Sequence, residues 1–405
     1  MASLGRAIED LAGRAVEIAA RLVAIPSDGA NHDERAVVGE LVRAAASLGL
    51  PPAEIVAEDP AHPNLLLRIR GAEPDRRLIL TSHTDTKPPG DEVDPRSAII
   101  RDGRLHGLGS ADAKGSVAAI LVAAAALVQA GLPRRGELVL AFTSDEESDG
   151  TRGLLHLASA GLLVADGAIV AEPSGIETSF DCLPVTARGF VGLTLRARGR
   201  RLHSGLADQR TDAGDPLQAI SRAVIDLPGR FDLGTEAHPR PDMATDPKTR
   251  LVFTSFGGGA ADGILPNSAW ARGEVRPRPG ETIEDVERAA RAALGELLTS
   301  AGIAEVNVSL EVDPIDWPAS EVDRSAAIVT SLADATEQVT GRRPALGAFP
   351  GATEAHVLAG LGIPTVPAFG PGLLSSAHVP GESVAVEDIR AAVAIYARVA
   401  AGFLA

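Results

Sequence analysis

Three apolar runs in this chain end abruptly in acids or histidine, and those junctions constrain the fold more than any other feature. They are RLILTSHTD (Arg77 to Asp85), ELVLAFTSDEE (Glu137 to Glu147) and DGAIVAEPS (Asp166 to Ser174). Each reads as a buried strand, because its branched apolar residues are bounded by Gly, Pro or Asp. LLLRIR (Leu65 to Arg70) is a neighbouring strand of the same character. Helical stretches alternate with them: an amphipathic N-terminus, an Ala-, Val- and Leu-rich run from Ala113 through Ala130, and a Leu-rich segment near Leu154. This alternation predicts an α/β fold with a mostly parallel sheet flanked by helices. In such sheets the polar residues beyond the strands' C-terminal ends are where sites form.

From about Pro184 the register changes. A strand (Phe190 to Ala197), a helix (Pro216 to Leu227), two strands (Leu251 to Phe256, Ala269 to Pro277), a charged helix (Thr282 to Ala301) and a strand (Val306 to Val312) give the order βαββαβ. That order predicts an α+β, ferredoxin-like unit whose ends lie close enough for insertion into another domain. Beyond the Pro-bearing link IDWPASEVD the α/β pattern resumes, with helices at Ala326 to Thr340 and Val386 to Ala401. The expected division is therefore 1–183 and 315–405 for a catalytic domain in two pieces, with 184–314 as an inserted lid or dimerisation domain.

Composition narrows the partners. A net charge of −16 and an aromatic content of 3% leave neither a phosphate-binding run nor a base-stacking surface, so nucleic acid is excluded. The single cysteine, Cys182, allows no internal disulfide and fits a reducing compartment. The N-terminus has no uninterrupted apolar core of a signal peptide, and the run from Ser116 to Ala130 is too short to span a bilayer. A cytoplasmic chain without membrane partners is expected.

The polar junctions carry the chemistry. His83 and Asp85 are two apart at a strand end, so they leave the same face, and the carboxylate can orient the imidazole of a metal ligand. Asp112, in GLGSADAKG, reads either as a helix N-cap or as a carboxylate whose two oxygens bridge two cations. Glu146 and Glu147 are adjacent and diverge, which lets one bind metal while the other acts as a base. Glu172 follows an apolar strand, and His378 sits in a loop after two glycines. Oxygen and imidazole donors without thiolates suit zinc, with cobalt or manganese as substitutes. Other features read as structural: the turn Gly257 to Ala260, the packing residues Trp270 and Trp317, and His32, His62, His106, His156, His238 and the helix-face His356.

HTDT, GLGSADAKG, SDEES, AEPS, TEA (Thr353 to Ala355) and FGPGLLSSAHVPGE occur in one order along the chain. As an ensemble they resemble the acetylornithine deacetylase, succinyl-diaminopimelate desuccinylase and carboxypeptidase-G family of dinuclear zinc hydrolases, with TEA and GPG closer to the deacetylase branch. The resemblance implies two zinc ions bridged by Asp112, one completed by His83 and Glu172 and the other by Glu147 and His378. It implies Asp85 as orienter of His83, Glu146 as general base, and His203 as an oxyanion donor reaching across from a partner subunit of a homodimer. Arg188 and Arg276, with the glycines Gly370 and Gly372, are the implied substrate contacts. The implied reaction removes an acyl group from an N-acyl amino acid; hydrolysis of a dipeptide or a C-terminal residue is the alternative, and a catalytically silent metal-binding protein is a remote one. Two departures fall in the insert: Gly263 stands where the family commonly has Asn, and Asp215 replaces another Asn, in a stretch that lacks the usual Ser-x-Pro.

Overall fold

Alternation along the apolar strands divides them between two cores. Leu65, Leu67, Ile69, Leu78, Leu80, Leu138, Leu140 and Phe142 bury on one face of a central sheet, while Leu66, Ile79, Val139 and Ala141 bury on the other. Both faces are thus covered, as a two-residue side-chain period requires of a sheet packed by helices on each side. The computed structural model describes residues 2–28, 33–92, 94–209, 215–234, 248–301, 308–313 and 317–405. His32 and His238, read as structural or exposed, lie outside the described residues.

The sheet runs Glu54–Val56, Asn64–Arg70, Arg135–Thr143, Glu73–His83, Gly167–Val170, Thr365–Val366 across its width. The first two pairings are antiparallel and the remaining three parallel. In register, His83 faces Thr143, and Thr81 faces Val170. Three chain segments therefore leave the sheet side by side at one edge, immediately before Asp85, Glu146 and Glu172.

The Ala2–Val23, Gly115–Gln129 and Val386–Phe403 helices pack together on the first face. Gly115–Gln129 is apolar all round, and the stretch Ser110–Gln129 that contains it is long and apolar enough to cross a membrane but is buried in the fold, where its alanines let neighbouring helices approach closely. On the opposite face, Leu154–Ser159 and Ala355–Gly360 supply Leu154, Leu157 and Leu358. Each such leucine contributes about 1.5–3 kcal/mol by burial.

The helix expected to open at Asp112 begins instead at Gly115. Ser110 to Lys114 form an irregular turn in which Asp112 has φ −123° and ψ 89°. Helical propensity is overridden there by a tertiary contact, because the buried Glu382 accepts the backbone N–H groups of Ala111 and Asp112 at 2.8 and 3.0 Å. Asp112 is consequently not an N-cap, and its carboxylate points elsewhere.

A four-stranded antiparallel sheet forms from Leu251–Gly258, Ser268–Val275, Val191–Arg198 and Val308–Val312, in that spatial order. With the Pro216–Arg230 and Ile283–Ala301 helices it shows the βαββαβ order and a core of its own. The Cys182–Ala187 strand, which spans the expected junction at 183/184, pairs with Ala345–Phe349 and buries Leu183 and Val185 in the larger core.

Candidate active site

Asp112 is the centre of the cluster at the sheet edge. Its Oδ1 lies 3.1 Å from Nε2 of His83, and its Oδ2 lies 3.1 Å from Nε2 of His378. One carboxylate thus serves two imidazoles with separate oxygens. Each imidazole nitrogen faces a further acid: His83 has Glu172 Oε1 at 3.5 Å, and His378 has Glu147 Oε1 at 2.9 Å. One ligand atom from each of His83, Asp112 and Glu147 fits within a 4.8 Å sphere of mutual distances.

Burial and close charges shift the proton affinities of the acids and imidazoles that converge on Asp112. Glu146 is held well above the ordinary carboxylate range by burial and by the charges of Glu147 and Glu172, against the opposing His83. Burial and Asp112 likewise push Glu172 up to about 8. His378 rises to about 10 through its bonds to Asp112 and Glu147. Despite burial, the two imidazoles hold Asp112 well below the usual range, and Glu147 is lowered by His378 and Lys87 against burial and Asp112. Like charges this close repel unless a cation separates them. The donor set fits divalent metal: carboxylate oxygens and imidazole nitrogens converge, no thiolate intervenes, and Asp112 offers one oxygen to each of two positions.

The shell behind these groups is built as carefully. Asp85 was expected to orient His83 through its carboxylate. Its backbone carbonyl makes the shorter contact with Nδ1, 3.1 Å against 3.4 Å, while the carboxylate accepts the N–H groups of Glu146 and Glu147. Asp85 therefore fixes the histidine and the acid pair together. Three buried acids that sequence reasoning did not single out extend the shell. Glu34 accepts from Thr84 Oγ1 and from the Asp145 N–H, and it meets His62 Nδ1 at 3.0 Å. Glu354, the acid of TEA, accepts from Thr143 and from the Leu154 N–H. Glu382 holds the Asp112 turn. Glu354 and Glu382 lie inside motifs quoted above, which was the available signal; Glu34 gave none, because its partners are distant in sequence.

A cavity of about 800 Å³ opens over this edge. Its wall includes Lys87, Asp112, Glu146, Glu147, Glu172 and His378 from the α/β part, and Arg272, Glu274, Arg276 and Asp313 from the insert. Arg276 stands with its guanidinium 4.8 Å above the Phe190 ring and donates from Nε to Glu274. Arg188 is not on the wall; it is buried and donates to the Arg276 carbonyl at 2.9 Å, so it positions Arg276. Gly370 and Gly372 are also behind the wall, where the Gly370–Leu373 strand pairs with Pro173–Gly175 and a Cβ on Gly370 would crowd the Glu172 carbonyl.

His203 is exposed at the end of the short Leu202–His203 strand and lines no part of this cavity. Its Nδ1 accepts the Gly205 N–H at 3.1 Å, which leaves the ring proton on Nε2 as a donor. The Ser204 N–H donates to the carbonyl of Gly263, whose φ of +79° is a conformation glycine takes readily. Asp215 caps the Pro216–Arg230 helix by accepting the Leu217 N–H. Trp317, read as a packing residue, lies on the cavity wall, with the His356 ring 5.0 Å away. Cys182 is buried, and burial pushes its thiol up to about 11.

Comparison with known proteins gives the family and the fold. The profile of peptidase family M20/M25/M40 matches residues 79–402. The chain is 30% identical to the succinyl-diaminopimelate desuccinylase of Gluconacetobacter diazotrophicus over 397 residues, which covers 95% of each. Among solved structures it is similar in fold to a metallo-carboxypeptidase of Sulfolobus solfataricus, with TM-score 0.76, 18% identity and coverage of 96% and 99%. A dipeptidase of Saccharomyces cerevisiae gives TM-score 0.77 at 15% identity, with coverage of 99% and 98%.

Proposed function

We propose, from the premise that this chain belongs to peptidase family M20/M25/M40 and is a metal-dependent hydrolase of amide bonds, that it removes an acyl group from the nitrogen of an amino acid. The observation that carries the reading is the division of Asp112's two oxygens between His83 and His378. Two zinc ions, or cobalt or manganese in their place, would be held by Asp112 between them, with His83 and Glu172 on one side and Glu147 and His378 on the other. When bound, such ions polarise a carbonyl and lower the pKa of water. Glu146, with its raised proton affinity, takes the proton of the attacking water and returns it to the departing amine. Asp85 keeps the backbone of Glu146 and the ring of His83 in register. Arg276 pairs with the substrate carboxylate, since bidentate geometry suits a guanidinium.

We infer a homodimer as well. The edge strand Leu251–Gly258 leaves Val252 and Phe256 exposed, as is Ile225 on the neighbouring helix, and an open strand edge with apolar residues invites pairing. His203, remote from its own cavity wall, would then serve the partner's site as an oxyanion donor. The domain division 1–183, 184–314 and 315–405 is part of this reading. It is supported by the two separate cores. The single buried cysteine supports a cytoplasmic setting.

The test is direct. Metal-stripped protein reconstituted with zinc or cobalt is assayed on N-acetyl, N-succinyl and N-formyl amino acids and on dipeptides. Release of the acyl group is expected, and faster dipeptide cleavage would move the assignment to a peptidase. Mixing inactive His203→Ala with inactive Glu146→Gln should restore part of the activity, through heterodimers with one intact site. No restoration would make each subunit self-contained.

A further inference from the structure

The wall of the cavity holds a cluster that metal chemistry does not need. Phe190, Trp317 and Phe349 all line it, in a chain whose aromatic content is only 3%. Trp317 is fixed from several directions. Its backbone bridges to Phe190, its ring lies against that of His356, and it occupies the space a Cβ on Gly150 would take. Gly150, at φ +67°, closes the loop that carries Glu146 and Glu147, so the aromatic surface abuts the loop bearing the proposed base. On its other side, Phe190 lies directly under the Arg276 guanidinium.

The charges on the same wall do not favour a second anionic group. Lys87 is bonded to Glu147, Arg272 has Asp313 at 4.0 Å, and Arg276 bonds Glu274 only through Nε. Apart from the cluster at the sheet edge, the three cations Lys87, Arg272 and Arg276 on the wall are matched in number by the acids Asp149, Glu274 and Asp313, so no net positive charge remains.

We propose that Trp317, with Phe190, is a specificity-determining surface that selects N-acyl amino acids carrying an apolar side chain and a single carboxylate. The inference rests on the acyl-removing function proposed above. In such a molecule the side chain branches from the carbon that bears the carboxylate. Apolar surface continuous with the carboxylate's guanidinium is therefore where the side chain settles. Burying a side chain of leucine size there favours it over glycine by roughly 10-fold to 100-fold in kcat/KM.

Two measurements test this. In the first, kcat/KM is compared for N-acetyl-L-leucine, N-acetylglycine and N-acetyl-L-glutamate. Leucine is expected first by at least about tenfold. Trp317→Ala should abolish most of that advantage with little effect on the glycine derivative, whereas Trp317→Phe should keep most of it. Preference for the glutamate derivative, or equal loss on all three in folded Trp317→Ala, overturns the proposal and leaves the acyl-removing function standing. In the second, Trp270→Phe leaves Trp317 as the sole tryptophan, so its emission reports occupancy without turnover. Saturable change with N-acetyl-L-leucine and none with N-acetyl-L-glutamate is expected. That result in a protein that hydrolyses no amide would support the surface and sink the function; no change with N-acetyl-L-leucine overturns the surface.

Discussion

The two halves of the cavity wall are built by opposite rules. Behind the sheet edge the supporting acids are buried and tied down: Asp85 holds two backbone N–H groups, Glu382 two, Glu354 a hydroxyl and a backbone N–H, and Glu34 a hydroxyl, an imidazole and a backbone N–H. On the insert the exposed polar groups are loosely held, whereas Arg278 and Glu281 form a buried pair off the cavity wall. Arg272 is mostly exposed with its nearest acid at 4.0 Å, and His203 is exposed on a two-residue strand. A buried acid left unpaired costs several kcal/mol, so the edge can persist only in one arrangement. Surface pairs are worth about 0–1 kcal/mol, so the insert is free to vary its residues. On the reading proposed above, chemistry is fixed at the edge, and choice of substrate falls to Arg276 and Phe190 of the insert with Trp317 just beyond it.

The sharpest way to break that division is at Glu146. Glu146→Gln keeps the shape and removes the proposed base, so turnover should fall by about 10²–10⁴-fold while metal content stays at the wild-type stoichiometry. Loss of metal alongside turnover would mean that Glu146 is a ligand and that the edge is less divided in role than its geometry suggests.

Arg276→Ala probes the other half. Removal of the proposed substrate anchor should raise KM by roughly 10-fold with kcat and metal content close to wild type, the signature of binding lost equally in ground and transition states. An equal fall in kcat would place Arg276 in the chemical step and blur the boundary between the halves.

The same contrast explains what could be read from the chain. His83, Glu147 and Glu172 follow apolar strands directly, so a change of residue character within one short run marks them. The βαββαβ order of the insert was equally visible, because each element carries its own periodicity. Asp112 was harder: SADAKG continues smoothly into an alanine-rich helix, and only Glu382, far away in sequence, keeps the turn out of helical geometry. Glu34 was invisible for a related reason, since its three partners come from three segments that meet only in the fold. Arg188 and Trp317 exchanged their expected roles, the arginine buried behind the wall and the tryptophan on it, because burial of a long side chain depends on packing that local sequence does not encode.

The edge should also carry a pH signature, through Glu34, that the exposed insert lacks. Burial first, and the nearby Asp85 second, raise its pKa from 4.5 to about 9, against the hydrogen bond from Thr84. Between those two pH values the folded protein keeps a proton that the unfolded chain has released. Stability from this group is therefore complete below pH 4.5 and declines as pH rises toward 9. Glu34→Gln keeps an acceptor for the Asp145 N–H and turns its amide NH2 toward Thr84, whose hydroxyl still has the Thr143 carbonyl to donate to, but it cannot ionise, so its unfolding free energy should fall less steeply. Measured by urea denaturation of metal-loaded protein at pH 5 and pH 8, the difference between the two slopes should amount to about 1–3 kcal/mol. Glu354 and Glu382, each pushed up to about 7 by burial, lean the same way but are common to both proteins and cancel in the comparison. Parallel declines would show that Glu34 is ionised in the folded state, and the edge would then hold a buried carboxylate instead of a neutral acid.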